Sequence, residues 1–527
     1  MKFQVCILAA GIGTRMSPLT DKINKSLLPV NFKATISYII EKFTKETEII
    51  IAVGHQKSTI INYLECAHGD RNIKFVDVDN YDGPGSGPGY SLMQCKKYID
   101  KPFIFFASDT LVTEEIPYPS ENWMGVSAVE ETSSYCTASI QENEIIALED
   151  KTFNSNKYAF IGLAGIYDYK LFFDSLERNN ELIAGEYQVS NGFSSLIQNK
   201  LYPKYFSWFD TGNMEGYMKA NFTMSEGQLK YDFSKKDEFL YFVEEKVIKY
   251  FADENIAINR CKRALKLEGL CPKLNYMRDN FYSYNMIEGD VIYDVINNKV
   301  IDSLLCWLDI NLWKDINIDE YKRKEFIKSC NSFYFDKTID RLEQYYNKYS
   351  YEDQDSKIND IKVPSVRKML ELIDWEMITD GIPSNFHGDL QFDNILMSKN
   401  NDFLLLDWRQ DFSGNVDFGD RFYDFAKLNG GMQVSYKLIK KDNFSYDVNQ
   451  DGSVRISHNI PNELINARNN FLEFLKLKKI DTLKVEIITS LIYLNMSPMH
   501  NEPFDHFIFN FGKLNLFQSL KEKGIYK

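Results

Sequence analysis

The chain has 527 residues, too many for one hydrophobic core, so two to four domains of roughly 100–200 residues each are expected. With 44% hydrophobic and 26% charged residues, the composition is that of an ordinary soluble globular protein. A formal net charge of −14 excludes a general nucleic-acid binder, which needs a basic surface, but leaves room for nucleotides held by a few local cations.

The 8 Cys are scattered without a CxxC pair, and the 6 His show no zinc spacing, so reduced thiols and no zinc centre are expected. No apolar run approaches the length of about 20 residues that spans a bilayer. The N-terminus faintly mimics a signal peptide, but its apolar run is short and passes straight into a Gly-rich loop, which predicts a buried first strand. A cytoplasmic protein without membrane insertion is therefore expected.

Phe3 to Ala10 is a nearly continuous apolar run, as in a strand of a parallel sheet buried on both faces. It leads into Ala10-Gly11-Ile12-Gly13-Thr14-Arg15-Met16-Ser17-Pro18-Leu19-Thr20, with Lys25 following in Asn24-Lys25-Ser26-Leu27-Leu28-Pro29-Val30. Glycines after a strand let backbone N–H groups approach phosphate oxygens, and Arg15 and Lys25 can neutralise them. Glu48–Gly54 and Ile73–Val76 are further strand patterns with a helix, Lys57 to Cys66, between them, and this alternation predicts a doubly wound α/β sheet. A loop with four glycines, Asn80 to Leu92, precedes a helix predicted over Tyr90 to Tyr98. Lys101 to Asp109 is a strand that delivers a carboxylate at its C-terminal end, where open α/β sheets bind ligands.

The combination LAAGxGTRMxPLT…KxLLPV resembles the nucleotidyltransferases that activate sugar phosphates and phosphocholine, with Asn24 in place of a usual Pro. The resemblance covers roughly residues 1–222 and implies a mixed-sheet nucleotidyltransferase domain. It implies nucleotide binding by Ala10, Gly11, Gly13, Thr14 and Gly87, and catalysis by Arg15 and Lys25. It also implies Mg²⁺ binding by Asp109 and by Asp210, the latter in Trp208-Phe209-Asp210-Thr211-Gly212-Asn213. Glu149 and Lys151 are acceptor candidates, an exposed charged turn being the alternative, and Asn191 stands where the family stretch ends in Asp. The implied reaction is attack of an acceptor phosphate on the α-phosphate of an NTP, releasing pyrophosphate.

Residues 223–230 are mostly polar and read as a linker. Phe239 to Phe251 is a strand pattern, followed by a helix over Ile256 to Lys266, a segment Phe281 to Gly289, and a long helical stretch from Asp294 to Asp380 rich in aromatics and acids. Then comes Ser384-Asn385-Phe386-His387-Gly388-Asp389-Leu390-Gln391-Phe392-Asp393-Asn394-Ile395-Leu396, and soon after it Phe403-Leu404-Leu405-Leu406-Asp407-Trp408. A loop carboxylate, an amide five positions on and a second carboxylate after an apolar strand are the parts that phosphoryl transfer needs.

This layout resembles the aminoglycoside phosphotransferase and choline kinase family, and implies a bilobal, protein-kinase-like α+β domain with an N-lobe at 231–290 and a helical C-lobe at 291–527. By that resemblance Asp389 is the base, Asn394 and Asp407 hold Mg²⁺, and Lys249 (or Lys246) meets the nucleotide phosphates. Tyr284 lies in the adenine hinge, and Glu254 or Glu268 partners the lysine. Trp307, Trp313, Tyr334, Phe335, Tyr345 and Tyr346 are either an ammonium cage or helix packing. The expected protein uses ATP to phosphorylate a small alcohol, of choline, aminoalcohol or polyol type, and couples the product to an NTP, with CTP favoured. A hexose 1-kinase joined to a sugar-1-phosphate nucleotidyltransferase is one alternative, and a silent kinase-like module that regulates the transferase is another.

Overall fold

The computed structural model describes residues 2–225, 237–400, 402–435, 439, 441, 443–522 and 524–526. The chain forms two compact units, Met1–Glu254 with Tyr276–Tyr284, and Asn255–Asn275 with Asn285–Lys527. Most of the predicted linker, and the first residues of the expected N-lobe, fall on 226–236 and lie outside the described residues.

In the first unit, Gln4–Ala9 lies between Glu48–Val53 and Phe103–Ala107, parallel to both, and Ile73–Asp77 adds a further parallel strand outside Glu48–Val53. Tyr158–Ile166 runs antiparallel to Phe103–Ala107 and makes the sheet mixed. All six residues of Gln4–Ala9 are buried. Val5, Ile7 and Ala9 enter the core on one face, and Cys6, Leu8 and Ala10 the core on the other, which is why the run is apolar throughout instead of alternating. Helices Lys57–His68 and Pro88–Cys95 supply covering layers.

The run from Phe239 to Phe251 is a hairpin, not one strand: Glu238–Val243 pairs antiparallel with Lys246–Phe251, and Glu244 turns the chain at φ 53°. Thirteen residues exceed the usual strand, and the two acids in the middle suit a turn. The hairpin joins the first unit's core. The Tyr241 hydroxyl donates to Leu27 O at 2.9 Å, Tyr250 to Lys22 O at 2.5 Å, and the Phe242 N–H to Phe32 O at 2.8 Å. The compact unit thus runs on to Glu254, past the sequence boundary at 222, because these strands bury their apolar side with Tyr63, Ile60 and Leu27.

The second unit is mainly helical, with Asn298–Asn311, Glu320–Asn331, Lys337–Tyr349, Arg421–Gln433, Asn462–Leu477, Thr482–Met496 and Phe504–Glu522 as its longer helices. A π-helical turn, Ser332–Asp336, joins the second of these to the third. The stretch read as a helical lobe also holds a four-stranded sheet in the order Ile361–Val363, Ser356–Ile358, Val454–His458, Phe444–Val448. The overlooked signal is Asp451-Gly452, with Gly452 at φ 77°, between two short β-rich runs. No helix among the described residues is long and apolar enough to cross a membrane.

Candidate active sites

The first site forms where the central strands end. Trp208–Asp210 pairs antiparallel with Thr110–Val112, Asp210 opposite Thr110. Thr211 ties the two segments further, its N–H and hydroxyl donating to Asp109 O at 3.0 and 2.8 Å. A β-carbon built on Gly212 would lie 2.6 Å from Asp109 Oδ2, 3.0 Å from Asp210 Oδ1 and 3.2 Å from an Arg15 guanidinium nitrogen, so three charged groups close around one point that only glycine leaves free. Lys25 Nζ pairs with Asp109 Oδ2 at 2.5 Å.

The electrostatics follow from this crowding. Burial works to raise the Asp109 carboxyl, but the Lys25 ammonium and the Arg15 guanidinium overcome it and hold the group below the usual carboxylate range. Asp210 is raised instead, first by burial and then by the charge of Asp109, although it accepts from Gly212 N–H at 3.0 Å and Asn213 Nδ2 at 2.7 Å. Two hard carboxylates facing each other fit Mg²⁺, which takes one or two protein carboxylates and completes its shell with substrate phosphates and water.

The Gly-rich loop after the first strand is braced from behind. Gly13 takes φ 75° and its α-carbon faces the Lys25 stem, while nothing lies within 4 Å of a β-carbon built on Gly11, the open side of the loop. Ala10 is buried and its carbonyl accepts from His55 N–H at 2.9 Å, whereas Thr14 and Arg15 are exposed on a short 3₁₀ turn. Asn24, fully buried, has its Nδ2 group directed at Ala9 O, Gly11 O and His55 O (3.3, 3.4 and 3.0 Å), while its Oδ1 accepts from the Ser26 N–H and hydroxyl. The Asn that replaces the family's Pro therefore holds the loop and caps the turn presenting Lys25. Asn24→Ala strands these groups, and a loss of about 1–3 kcal/mol is expected in urea unfolding, since that is the cost of an unpaired buried polar group.

Gly87, expected to bind the nucleotide, takes φ 119°, and a β-carbon there would meet Tyr187 O at 2.8 Å. The Gly-rich loop is laid against the next segment, with Gly85 N–H donating to Gly185 O at 2.9 Å and Tyr187 N–H to Ser86 O at 2.7 Å. Lys151 pairs with Glu186 at 3.1 Å, and Glu149 is exposed on the strand Glu144–Asp150. Asn191 is buried, donating to Glu181 O at 3.0 Å, so its place in the family stretch says nothing about the acceptor. Sequence reasoning missed Tyr135, whose hydroxyl donates to Asp210 Oδ2 at 3.3 Å and whose ring meets Trp208 edge-on at 5.4 Å.

In the second unit the strand pair Ile395–Met397 and Phe403–Leu405 brings the two halves of the motif together, and Leu406 N–H donates to Asn394 O at 2.7 Å. Asn394 Nδ2 reaches Asp389 O at 2.9 Å and Asp389 Oδ2 at 3.2 Å. Asp389 Oδ1 pairs with Lys427 at 2.6 Å. Burial raises the Asp389 carboxyl, and the charge of Asp407 adds to that, yet Lys427 holds the group below its ordinary value. Asp407 stands at φ 53° and pairs with Arg260 of the helix Glu254–Lys266. The Asp407 carboxylate and the Asn394 amide oxygen are hard donors of the kind Mg²⁺ takes beside nucleotide phosphates.

The loop itself is held from below. His387 is fully buried and burial pushes its pKa down to about 4, so it stays neutral. Its Nδ1 accepts from Asp389 N–H at 3.2 Å and its Nε2 donates to Leu406 O at 2.8 Å. Asp424, buried in the helix Arg421–Gln433, accepts from the backbone N–H groups of His387 and Gly388, both at 2.7 Å. Asp420 is likewise structural, capping that helix and accepting from Ile382 N–H at 2.8 Å and the Tyr334 hydroxyl at 2.8 Å.

Lys427 and Arg260 were not foreseen. Lys427 stands three residues after Asp424, a spacing that puts both on one helical face, but nothing local marks Arg260. Lys246, the alternative to Lys249, is taken up elsewhere, donating to Cys66 O at 3.0 Å and Ala67 O at 3.3 Å at the end of the helix Lys57–His68. Lys249 is half-buried opposite Leu240, Tyr284 is buried on the strand Phe281–Asn285, and Glu254 and Glu268 are both exposed.

The aromatic residues resolve toward packing. Trp313 is buried against Phe425 at 4.8 Å, half-buried Phe335 meets Trp375 edge-on at 4.8 Å, and Tyr345 stacks on Phe509 at 4.3 Å. Trp307 meets Phe403 at 5.8 Å, and Tyr346 stacks on Tyr351 at 5.7 Å. With Tyr334 bonded to Asp420, these rings form no common cage, because the helices that carry them turn them into separate contacts.

Comparison with known proteins bears on the first unit. Residues 4–227 match the family model for nucleotidyl transferases. The chain is 29% identical over 233 residues to the bifunctional protein GlmU of Methanococcus vannielii, an alignment covering 41% of this chain and 53% of that protein. It is 26% identical over 284 residues to a UTP–glucose-1-phosphate uridylyltransferase of Mycoplasma pneumoniae, covering 45% and 97%. It is 38% identical over 111 residues to a choline-phosphate cytidylyltransferase of Streptococcus pneumoniae, covering 20% and 44%. The chain thus spans about half the length of the methanococcal relative. The N-terminal domain resembles the sugar-phosphate and phosphocholine nucleotidyltransferases.

Proposed function

We propose that the protein makes an activated alcohol in two steps, the second unit phosphorylating a small alcohol with ATP and the first coupling the phosphate ester to an NTP, with CTP favoured. What supports the second step is the convergence of Asp109, Asp210, Arg15 and Lys25 around Gly212, in a domain that matches nucleotidyl transferases. What supports the first step is the grouping of Asp389, Asn394 and Asp407 on one loop and strand pair. The preference for CTP rests on the likeness to the choline-phosphate cytidylyltransferase.

In the first reaction Asp389 takes the hydroxyl proton as the alcohol oxygen bonds to the γ-phosphorus and the bond to ADP breaks. In the second, a phosphate oxygen of the ester bonds to the α-phosphorus of the NTP and pyrophosphate leaves, with Lys25 and Arg15 stabilising the charge that builds on the phosphates. Mg²⁺, held by Asp109 and Asp210 in one unit and by Asn394 and Asp407 in the other, would supply neutralisation of the nucleotide phosphates.

The test is mass spectrometry of products from the full chain with ATP, MgCl₂, the four NTPs, and a panel of alcohols and hexoses. A phosphate ester that needs ATP, followed by its CDP derivative, is the expected result. A hexose 1-phosphate and its UDP derivative would move the reading to a sugar kinase fused to a sugar-1-phosphate nucleotidyltransferase. One observation favours a second reading, a silent kinase-like module: both carboxylates already carry cations, Asp389 from Lys427 and Asp407 from Arg260. Absence of ATP consumption with every acceptor would establish that reading instead.

A further inference from the structure

We propose that the hydroxyl substrate of the second unit is itself an anion, an alcohol bearing a carboxylate or a phosphate, gripped by Lys337, Arg341 and Arg409; this rests on reading Asp389 as the base of a kinase. The three cations come from two places in the sequence, Lys337 and Arg341 from one helix and Arg409 from the segment after Asp407, and meet beside the catalytic loop. Arg409 follows Asp407 by two residues. Its backbone N–H donates to His387 O at 2.9 Å, and its stem lies so close to Gly388 that a β-carbon there would stand 2.5 Å from Arg409 Cβ. Its guanidinium carbon lies 4.9 Å from the centre of the Phe333 ring, and Lys337 Nζ lies 4.3 Å from the same ring. Arg341, one helical turn after Lys337, projects from the same face of the helix Lys337–Tyr349.

None of the three has an ion-pair partner among the described residues. Arg409 Nε donates to the backbone carbonyl of Asp411 at 3.1 Å, Arg341 donates to the neutral Gln344 amide at 2.9 Å, and among the described residues no hydrogen bond engages Lys337 Nζ. In a chain of net charge −14, three cations without an ion-pair partner among the described residues, two of them over one ring, are a costly arrangement. Burial, reinforced by Arg409, Arg341 and Lys427, pushes the Lys337 ammonium down to about 6, and Asp389 is the carboxylate that opposes the shift. Such clusters of destabilised like charge mark ligand sites, where the ligand supplies the missing counter-charge. The base expected to face the acceptor and the cations thus act on one another. Asp407, the carboxylate expected to hold metal, has Arg260 for its own partner.

Other features agree. Phe333, the ring beneath the cations, is fixed by stacking on Phe412 at 4.5 Å, and lies in the π-helical turn Ser332–Asp336 that leads into Lys337. Such turns recur at functional sites because they swing the following side chains out of helical register. The rings once eligible for an ammonium cage are spent on packing. An ammonium substrate would meet Arg341, Arg409 and a lysine that gains its charge only beside an anion, where it would need acids.

The experiment uses the full chain with ATP and MgCl₂ and four acceptors: D-glycerate, glycerol 3-phosphate, glycerol and choline. One of the two anions is expected to exceed glycerol and choline in kcat/KM by roughly 100-fold, since a desolvated charge-assisted contact is typically worth tenfold or more and at least two are lost together. Which anion wins separates a carboxylate from a phosphate ligand. Lys337→Met is expected to raise KM for that anion at least tenfold with KM for ATP unchanged, and Arg341→Gln, at a more exposed position, repeats the test should the first variant fold poorly. Preference for choline or glycerol would overturn the proposal while leaving the kinase reading intact. So would a rise in KM for ATP alone, which would make the cluster a nucleotide clamp. Should no acceptor turn over, calorimetric titration of D-glycerate and glycerol 3-phosphate in the presence of ADP decides. Binding that Lys337→Met abolishes upholds the anion site and refutes the kinase reading, and absence of binding refutes both.

Discussion

Asp389→Asn is expected to cut ATP-dependent phosphorylation by roughly 10²–10⁴-fold, the usual worth of a positioned general base, while pyrophosphate release from an acceptor supplied as its phosphate ester stays at the wild-type rate. The substitution keeps the shape of the loop. An amide oxygen at 389 still accepts from Asn394 Nδ2, and the backbone remains held by Asp424 through His387 and Gly388. What it removes is the carboxylate that takes the hydroxyl proton and the counter-charge of Lys427. A thermal unfolding curve close to wild type would show that the loss is chemical. Loss of both activities in a folded variant would sink the assignment of the two reactions to separate sites.

Lys25→Ala and Asp109→Ala should produce the reverse pattern, a fall of roughly 10²–10³-fold in pyrophosphate release with phosphorylation of the alcohol unaffected, as removal of one preorganised phosphate-stabilising group typically gives. Lys25→Ala adds a diagnostic in pH. Burial raises the Asp109 carboxyl and Lys25 is the first charge that opposes it, so without the lysine the group ionises at higher pH. Since the ionised carboxylate is the form that acts, the acid limb of the residual activity should move upward. An unshifted limb, or near wild-type rates, would place the nucleotidyl site elsewhere.

Much of this was legible because it is local. The continuous apolar runs at Phe3–Ala10 and Glu48–Val53 announce strands covered on both faces, and the structure buries them so. Asp109 at the end of such a strand, and Asp389, Asn394 and Asp407 around a short strand pair, are close in sequence, so their grouping follows from a few backbone hydrogen bonds. The hairpin Glu238–Val243 with Lys246–Phe251 was misread as one strand, because an unbroken apolar rhythm carries no mark of reversal except two acids, and the strand after Asp451-Gly452 was lost in a run scored for helix.

Other features depend on which distant side chains the fold brings together. Asn24 looked like a defect in a motif until its amide reached three carbonyls from two segments. Arg260 finds Asp407 across 147 residues. The aromatic insert offered either a cage or a core, and the helices decided for a core by turning each ring to a separate partner. The sequence by itself determined where the candidate site residues stand along the chain and which strands deliver Asp109 and Asp407, since periodicity and motif spacing are written along the chain. Tertiary structure alone decided the pairing of Asp109 with Asp210 around Gly212, the cations that neutralise each carboxylate, and the meeting of Lys337, Arg341 and Arg409 beside Asp389. The reason is physical: a charge's partner is set by distance in space, and distance in sequence does not encode it.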